Sequence, residues 1–159
     1  VIAPLRCLAL SLALAAPGTA LAQSPAGGVQ ALPISLVLGI ENVELPGGEA
    51  MGLAGGTLLF EAGGGWALGP AVYGAVTGQR GGFLVGGIAV QRSFALAPGW
   101  SLAAQFYAGG GGGAAAPQGS GLMLRPALTL FHELTPTLQL GLGASYVSFP
   151  SGQIGSGQI

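Results

Sequence analysis

The chain has 159 residues, half of them hydrophobic, with only 6% charged and 32 glycines. A water-soluble domain carries about 25% charged residues, so an ordinary solvated surface is excluded. A formal net charge of -1 likewise excludes the basic field of a nucleic-acid binder, and the length allows one domain.

The first 22 residues read as a secretory signal peptide. Arg6 supplies the positive start, residues 7–16 an apolar run, Pro17 and Gly18 a break, and Ala20-Leu21-Ala22 before Gln23 the small-residue cleavage pattern. Cleavage is expected after Ala22. The run is shorter than the about 20 apolar residues of a membrane helix. The single cysteine, Cys7, stands at the start of that run rather than at its end, where lipidation would need it. It leaves with the signal, so the exported chain is expected to have neither a disulfide nor a thiolate metal site. Residues 23–32, with Pro25 and Gly27-Gly28, form a linker.

From residue 33 to 159 the apolar residues come in runs of about ten, many alternating with small or polar ones and separated by Gly/Pro clusters, which is the period of membrane strands. Near the start, Ile34, Leu36, Leu38 and Ile40 oppose Ser35, Gly39 and Glu41. Segments 51–61, 65–77 and 82–94 are strand-like with both faces apolar or glycine. Next, Trp100, Leu102, Ala104, Phe106 and Ala108 oppose Ser101, Gln105 and Tyr107. Over 122–133, Leu122, Leu124, Leu128 and Leu130 oppose Arg125, Thr129 and Glu133, and over 137–149 the leucines and Tyr146 oppose Gln139, Gly141, Gly143 and Ser145. Gly86, Gly87, Gly141 and Gly143 are expected to make room inside a narrow barrel. Trp66, Tyr73, Trp100, Phe106, Tyr107, Phe131, Tyr146 and Phe149 tend towards strand ends, as an aromatic belt would require.

Short turns at 62–65, 96–99 and 134–136 interleave with longer segments at 44–49, 78–81, 109–121 and 150–157. The pattern predicts an all-β fold, an up-and-down antiparallel transmembrane β-barrel with short turns in the periplasm and long loops outside. Seven strands are counted and an eighth is due to begin at the last residues. Bacterial barrels have even strand numbers and hydrocarbon does not tolerate open edges, so the last strand is expected to be truncated.

Glu41 and Arg125 share the predicted lumen with opposite charge, and they are expected to pair as a plug. A charge-selective path is the alternative, although eight strands leave little channel. Arg80, in a long loop, is a candidate contact for lipopolysaccharide phosphate through a charge-assisted bond, or else a solvated loop charge. The glycine runs lack the lysine of a phosphate loop, and a strand, not a helix, follows the longest run, so no nucleotide site is expected. One histidine and no aspartate leave no metal site. No cofactor is expected.

The alternation over 33–159 resembles small outer-membrane barrels of the OmpA/OmpX type or the lipid A deacylase type. The stretches 73–83 (YGAVTGQRGGF), 119–126 (GSGLMLRP) and 145–154 (SYVSFPSGQI) resemble uncharacterised proteobacterial outer-membrane proteins. The resemblance implies a Gram-negative outer-membrane location, contact with membrane lipid and lipopolysaccharide, and handling by the barrel-insertion machinery. The deacylase type implies a His-x-Ser on a late strand, where this chain has Tyr146-Val147-Ser148. A phenol, with a pKa near 10, cannot replace imidazole as a base. The only histidine, His132, is expected at the opposite end of its strand from Ser148, and no catalytic residue is assigned. The expected function is a structural or envelope-interaction role; the alternatives are a deacylase-like enzyme or a secreted soluble β-barrel holding a small apolar ligand.

Overall fold

A computed structural model describes the backbone of Ala9–Ala15 and residues 33–159 in full. Arg6, the cleavage pattern at 20–22 and the linker 23–32 lie outside the described residues. Among the described residues all regular elements are strands: β1 (Ala9–Ala15), β2 (Ile34–Glu44), β3 (Ala50–Gly63), β4 (Trp66–Thr77), β5 (Leu84–Ala97), β6 (Trp100–Gly112), β7 (Leu122–Thr135), β8 (Leu138–Ser148) and β9 (Gly155–Gln158). No helix among the described residues is long and apolar enough to cross a membrane.

Each strand pairs antiparallel with its neighbour in sequence, and β1 pairs with both β2 and β8. The sheet is therefore an up-and-down antiparallel β-barrel that closes through β1. Eight strand positions surround the lumen, because β9 and β1 share one of them. β9 pairs with the upper part of β8, Ser145 opposite Gln158, and β1 pairs with the lower part, starting with Ala9 opposite Gly143. The two segments lie end to end in one register. A strand running on downward past Gln158 would enter the slot that β1 occupies. β1 falls within the predicted signal peptide, so the segment assigned to export also seats in the wall.

The strand alternation sorts side chains by size and polarity. Ile88 is 61% exposed, Leu128 53% and Leu142 49%, all on the outside, while Met51, Leu53, Leu59, Tyr107 and Met123 are buried within. In β4 the inward set is Ala67, Gly69, Ala71 and Tyr73, and in β5 it includes Val85, Gly87 and Ala89. These strands, apolar on both sides in the sequence, thus turn mostly small residues inward and large ones outward, as a narrow barrel requires.

Several expectations about detail are corrected. Gly86 faces outward into open space, so it makes no room inside. A Cβ on Gly87 would lie 2.3 Å from the Ala108 carbonyl oxygen, on Gly143 2.2 Å from that of Leu128, and on Gly141 2.6 Å from the Phe131 ring. Those three do keep the wall close-packed. Tyr73, Tyr107, Phe131 and Phe149 are buried inside, leaving Trp66, Trp100, Phe106 and Tyr146 on the outer wall. The glycine run 109–112 extends β6 instead of beginning a loop, because glycine lets two strand backbones approach where side chains would collide.

Candidate functional site

Adjacent strands bring one polar residue each to the same height of the lumen. Glu41 on β2 and Arg125 on β7 meet across it as a bidentate pair, Nε to Oε1 at 2.8 Å and Nη2 to Oε2 at 2.9 Å. Their side chains are 4% and 11% exposed. Such fork-to-fork geometry fixes both groups and is among the stronger protein hydrogen-bonding arrangements. The remaining guanidinium nitrogen donates to Tyr73 Oη at 3.3 Å and to Gln105 Oε1 at 3.4 Å. Gln105 in turn donates to Gln91 at 3.2 Å. The guanidinium carbon also lies 5.0 Å from the Tyr73 ring centroid, a cation–π contact.

On the far side of Glu41, the Ser145 hydroxyl donates to Oε2. Gln158 and Ser156 of β9 continue the chain, and Ser156 Oγ accepts from the Glu44 backbone N–H at 2.9 Å. The lumen network therefore ties together β2, β4, β5, β6, β7, β8 and β9. Tyr107, edge-on to Tyr73 with centroids 4.9 Å apart, is fully buried, and its hydroxyl has no partner among the described residues.

Above this layer the lumen is filled by apolar side chains, with Val43, Leu45, Met51, Phe83, Met123, Phe149 and Ile154 in one buried cluster. Around the polar layer a cavity of about 30 Å³ remains, lined by residues such as Gly39, Gly55, Thr57 and Thr129. That holds about two waters, so the described residues leave no open passage at this level.

No family model, curated protein or solved structure matches the chain. The site must therefore be read from its own chemistry.

The sequence placed Glu41 and Arg125 on the lumen side, and the structure brings them into direct contact. Arg80 is not near them. It sits in the long-loop cap, donating Nε and Nη2 to Glu49 at 2.9 and 2.7 Å, and Nη1 to the carbonyls of Ala114 and Ala115 at 3.1 and 2.9 Å. The hydrogen bond to Glu49 raises the Arg80 pKa above its ordinary value. The guanidinium is thus a latch across three loops, since Glu49 follows β2, Arg80 follows β4, and Ala114 and Ala115 follow β6. Both alanines adopt φ of 51°, a left-handed conformation that costs a residue with a Cβ about 1 kcal/mol or more. The carbonyls they aim at Arg80 supply part of the compensation. The loops at 113–121 and 149–154 also interlock, Gln153 N donating to the Pro117 carbonyl at 2.9 Å.

His132 and Ser148 lie far apart. Register sets His132 opposite Leu140 and Leu124 opposite Ser148, a difference of eight positions, or about 26 Å along the strand. His132 instead stacks on Trp100, with ring centroids 4.3 Å apart, and its Nδ1 lies 3.1 Å from the Gly99 carbonyl oxygen. Among the described residues there is no cluster of three or more His, Cys, Asp or Glu fit to hold a metal.

One cation went unnoticed in the sequence. Arg92 on β5 faces the outer wall, its guanidinium 4.9 Å from the Trp66 ring and 5.4 Å from that of Phe94. The signal was present in the alternation, since Arg92 shares a face with Ile88, Val90 and Phe94.

Proposed function

We propose that this chain is a small outer-membrane β-barrel with a plugged lumen, exported through a cleaved signal, inserted by the barrel-assembly machinery and serving a structural or envelope-interaction role. The reading rests on the direction of burial. Large aliphatic side chains cover the outside while the ion pair is buried inside. In water such a surface would expose a continuous apolar patch far beyond the few hundred Å² usual for a soluble monomer; against hydrocarbon it needs no cover. Full backbone pairing around the wall is the other requirement of a lipid environment; between β2 and β8 it is completed by β1, a place that another strand must take once the signal is cleaved.

A soluble ligand-binding barrel would need the opposite burial. A lipid A deacylase-like activity has no observation in its favour, given the separation of His132 from Ser148. The long-loop cap, tied down by Arg80, is the surface left for contacts with lipopolysaccharide or envelope partners. The test is expression of the full reading frame followed by membrane fractionation and detergent gels with and without heating. Recovery in the outer-membrane fraction with heat-modifiable mobility is expected; soluble periplasmic recovery with a single mobility would overturn the reading.

A further inference from the structure

Arg92 is a charge on a wall built mainly of large apolar side chains. Among the described residues it is the only arginine with no carboxylate partner, since Arg80 pairs with Glu49 and Arg125 with Glu41. Its Nε is buried and without a hydrogen-bond partner. The rings of Trp66 and Phe94 approach it within cation–π distance, and aromatic rings take the faces of a guanidinium while its N–H donors point outward in its plane. The Nη donors of this guanidinium therefore have nothing among the described residues to receive them, while Nε is enclosed by the protein.

Height along the barrel narrows the choice of acceptor. Trp66, opposite Arg92, is the first residue of β4, and the next residue, Ser93, donates its N–H to Gly65 in the β3–β4 turn at 2.8 Å. Arg92 thus lies in the short-turn half of the wall, level with the β3–β4 turn but five residues short of Ala97, where β5 ends. Beside it an open groove of about 540 Å³ on the outer wall is lined by Val90, Ala104, Phe106, Leu128, Ala144 and Tyr146, and the two alanines, the smallest of these, leave its floor low. Cross-strand register connects Arg92 to Ala104, Ala104 to Leu128, and Leu128 to Ala144. Ala144 stands six residues beyond Leu138, the start of β8. That is about 20 Å along a strand, or about 14 Å of height at a tilt near 45°. The groove therefore lies across the short-turn half of the wall and reaches towards its middle.

A guanidinium in the short-turn half of the wall, on a side chain long enough to turn its charge towards the interface and continuous with an apolar depression, has the polarity of a phospholipid. We propose that this is a binding site for one glycerophospholipid of the periplasmic leaflet, its phosphate taken by Arg92 between Trp66 and Phe94 and one acyl chain lying over Ala104 and Ala144. Lipopolysaccharide, in the opposite leaflet, would meet the long-loop end instead. The site rests on the membrane-barrel reading above.

The experiment is native mass spectrometry of the full chain released from detergent, each preparation first checked for heat-modifiable mobility. Phosphatidylglycerol, diacylglycerol with the same acyl chains, and inorganic phosphate are added separately to wild type, Arg92→Ala, Arg92→Lys and Ala104→Phe. One phosphatidylglycerol is expected to remain bound to wild type with at least tenfold preference over diacylglycerol. R92A should lose that preference, R92K should keep only part of it because a point charge lacks the planar donors, and A104F should weaken retention of both lipids by filling the floor. Phosphatidylglycerol binding within twofold of wild type in R92A overturns the site, as does equal retention of diacylglycerol by wild type. Binding of inorganic phosphate as strong as that of the lipid assigns Arg92 to a free anion and overturns the lipid. If wild type shows no heat-modifiable form, the membrane reading falls and the site with it; a heat-modifiable barrel indifferent to Arg92 removes the site alone.

Discussion

Truncating Arg125 to alanine perturbs the lumen most directly. The substitution removes both donors from the Glu41 carboxylate and leaves the Ser145 hydroxyl as its remaining side-chain donor. An uncompensated buried charge of this kind costs about 3–5 kcal/mol. Water admitted to the space left by the guanidinium, next to the existing cavity of about 30 Å³, offsets part of this, so we expect a loss near 3 kcal/mol. Adding Glu41→Gln in the same chain should recover much of it, because a neutral amide does not carry the desolvation cost of a carboxylate. The assay is equilibrium urea unfolding in detergent or lipid vesicles, followed by fluorescence of Trp66 and Trp100, which stand on the outer wall. A loss below about 1 kcal/mol for R125A, the range of an exposed pair, would refute the argument. So would a double variant no more stable than R125A, for then the carboxylate is already hydrated and the lumen is not plugged.

Gly143→Ala should destabilise by about 1–3 kcal/mol through overpacking, whereas Gly86→Ala should stay within about 0.5 kcal/mol, because the first Cβ meets the Leu128 backbone and the second meets nothing; equal effects in the same unfolding assay would contradict the assignment of faces. Arg80→Ala and Glu49→Ala should each speed protease cleavage within 113–121, and high salt should do the same to wild type, since the pair is partly exposed. For Arg80 the folded pKa is raised, so the contribution of its charge is complete below the ordinary arginine range and is lost only as pH rises beyond it; cleavage that accelerates between neutral pH and pH 9 would show that the latch is not this ion pair. The mass of the exported product should correspond to a chain starting at Gln23. A product retaining Ala9–Ala15 would make β1 a permanent wall strand and end the signal assignment.

Alternation alone made seven strands legible, along with the inward direction of Glu41, Arg125 and Gln105. That information is local, because successive side chains of a strand point to opposite faces, and a run of leucines at every second position shows which face is greasy whatever lies next to it. β4 and β5 were harder to orient, since alanine, glycine and valine on both faces carry little contrast. Only curvature, which crowds the inside, separates Gly87 from Gly86.

Partners across strands are a different kind of information. Whether Glu41 meets Arg125 depends on register around the whole wall, and whether Arg80 is free depends on how three loops fold over the mouth. Neither quantity has a period in the sequence. The same is true of Arg92, one cation among apolar neighbours until pairing with β4 sets Trp66 beside it and pairing with β6 lays the groove alongside. It is true also of the eighth strand position, shared by β9 and β1 because their registers on β8 run on without a gap. The sequence determined which side of each strand faces inward, by a two-residue rule that needs no neighbour. Tertiary structure decided which groups meet, because contact across a closed barrel is set by register and closure, which belong to the sheet as a whole.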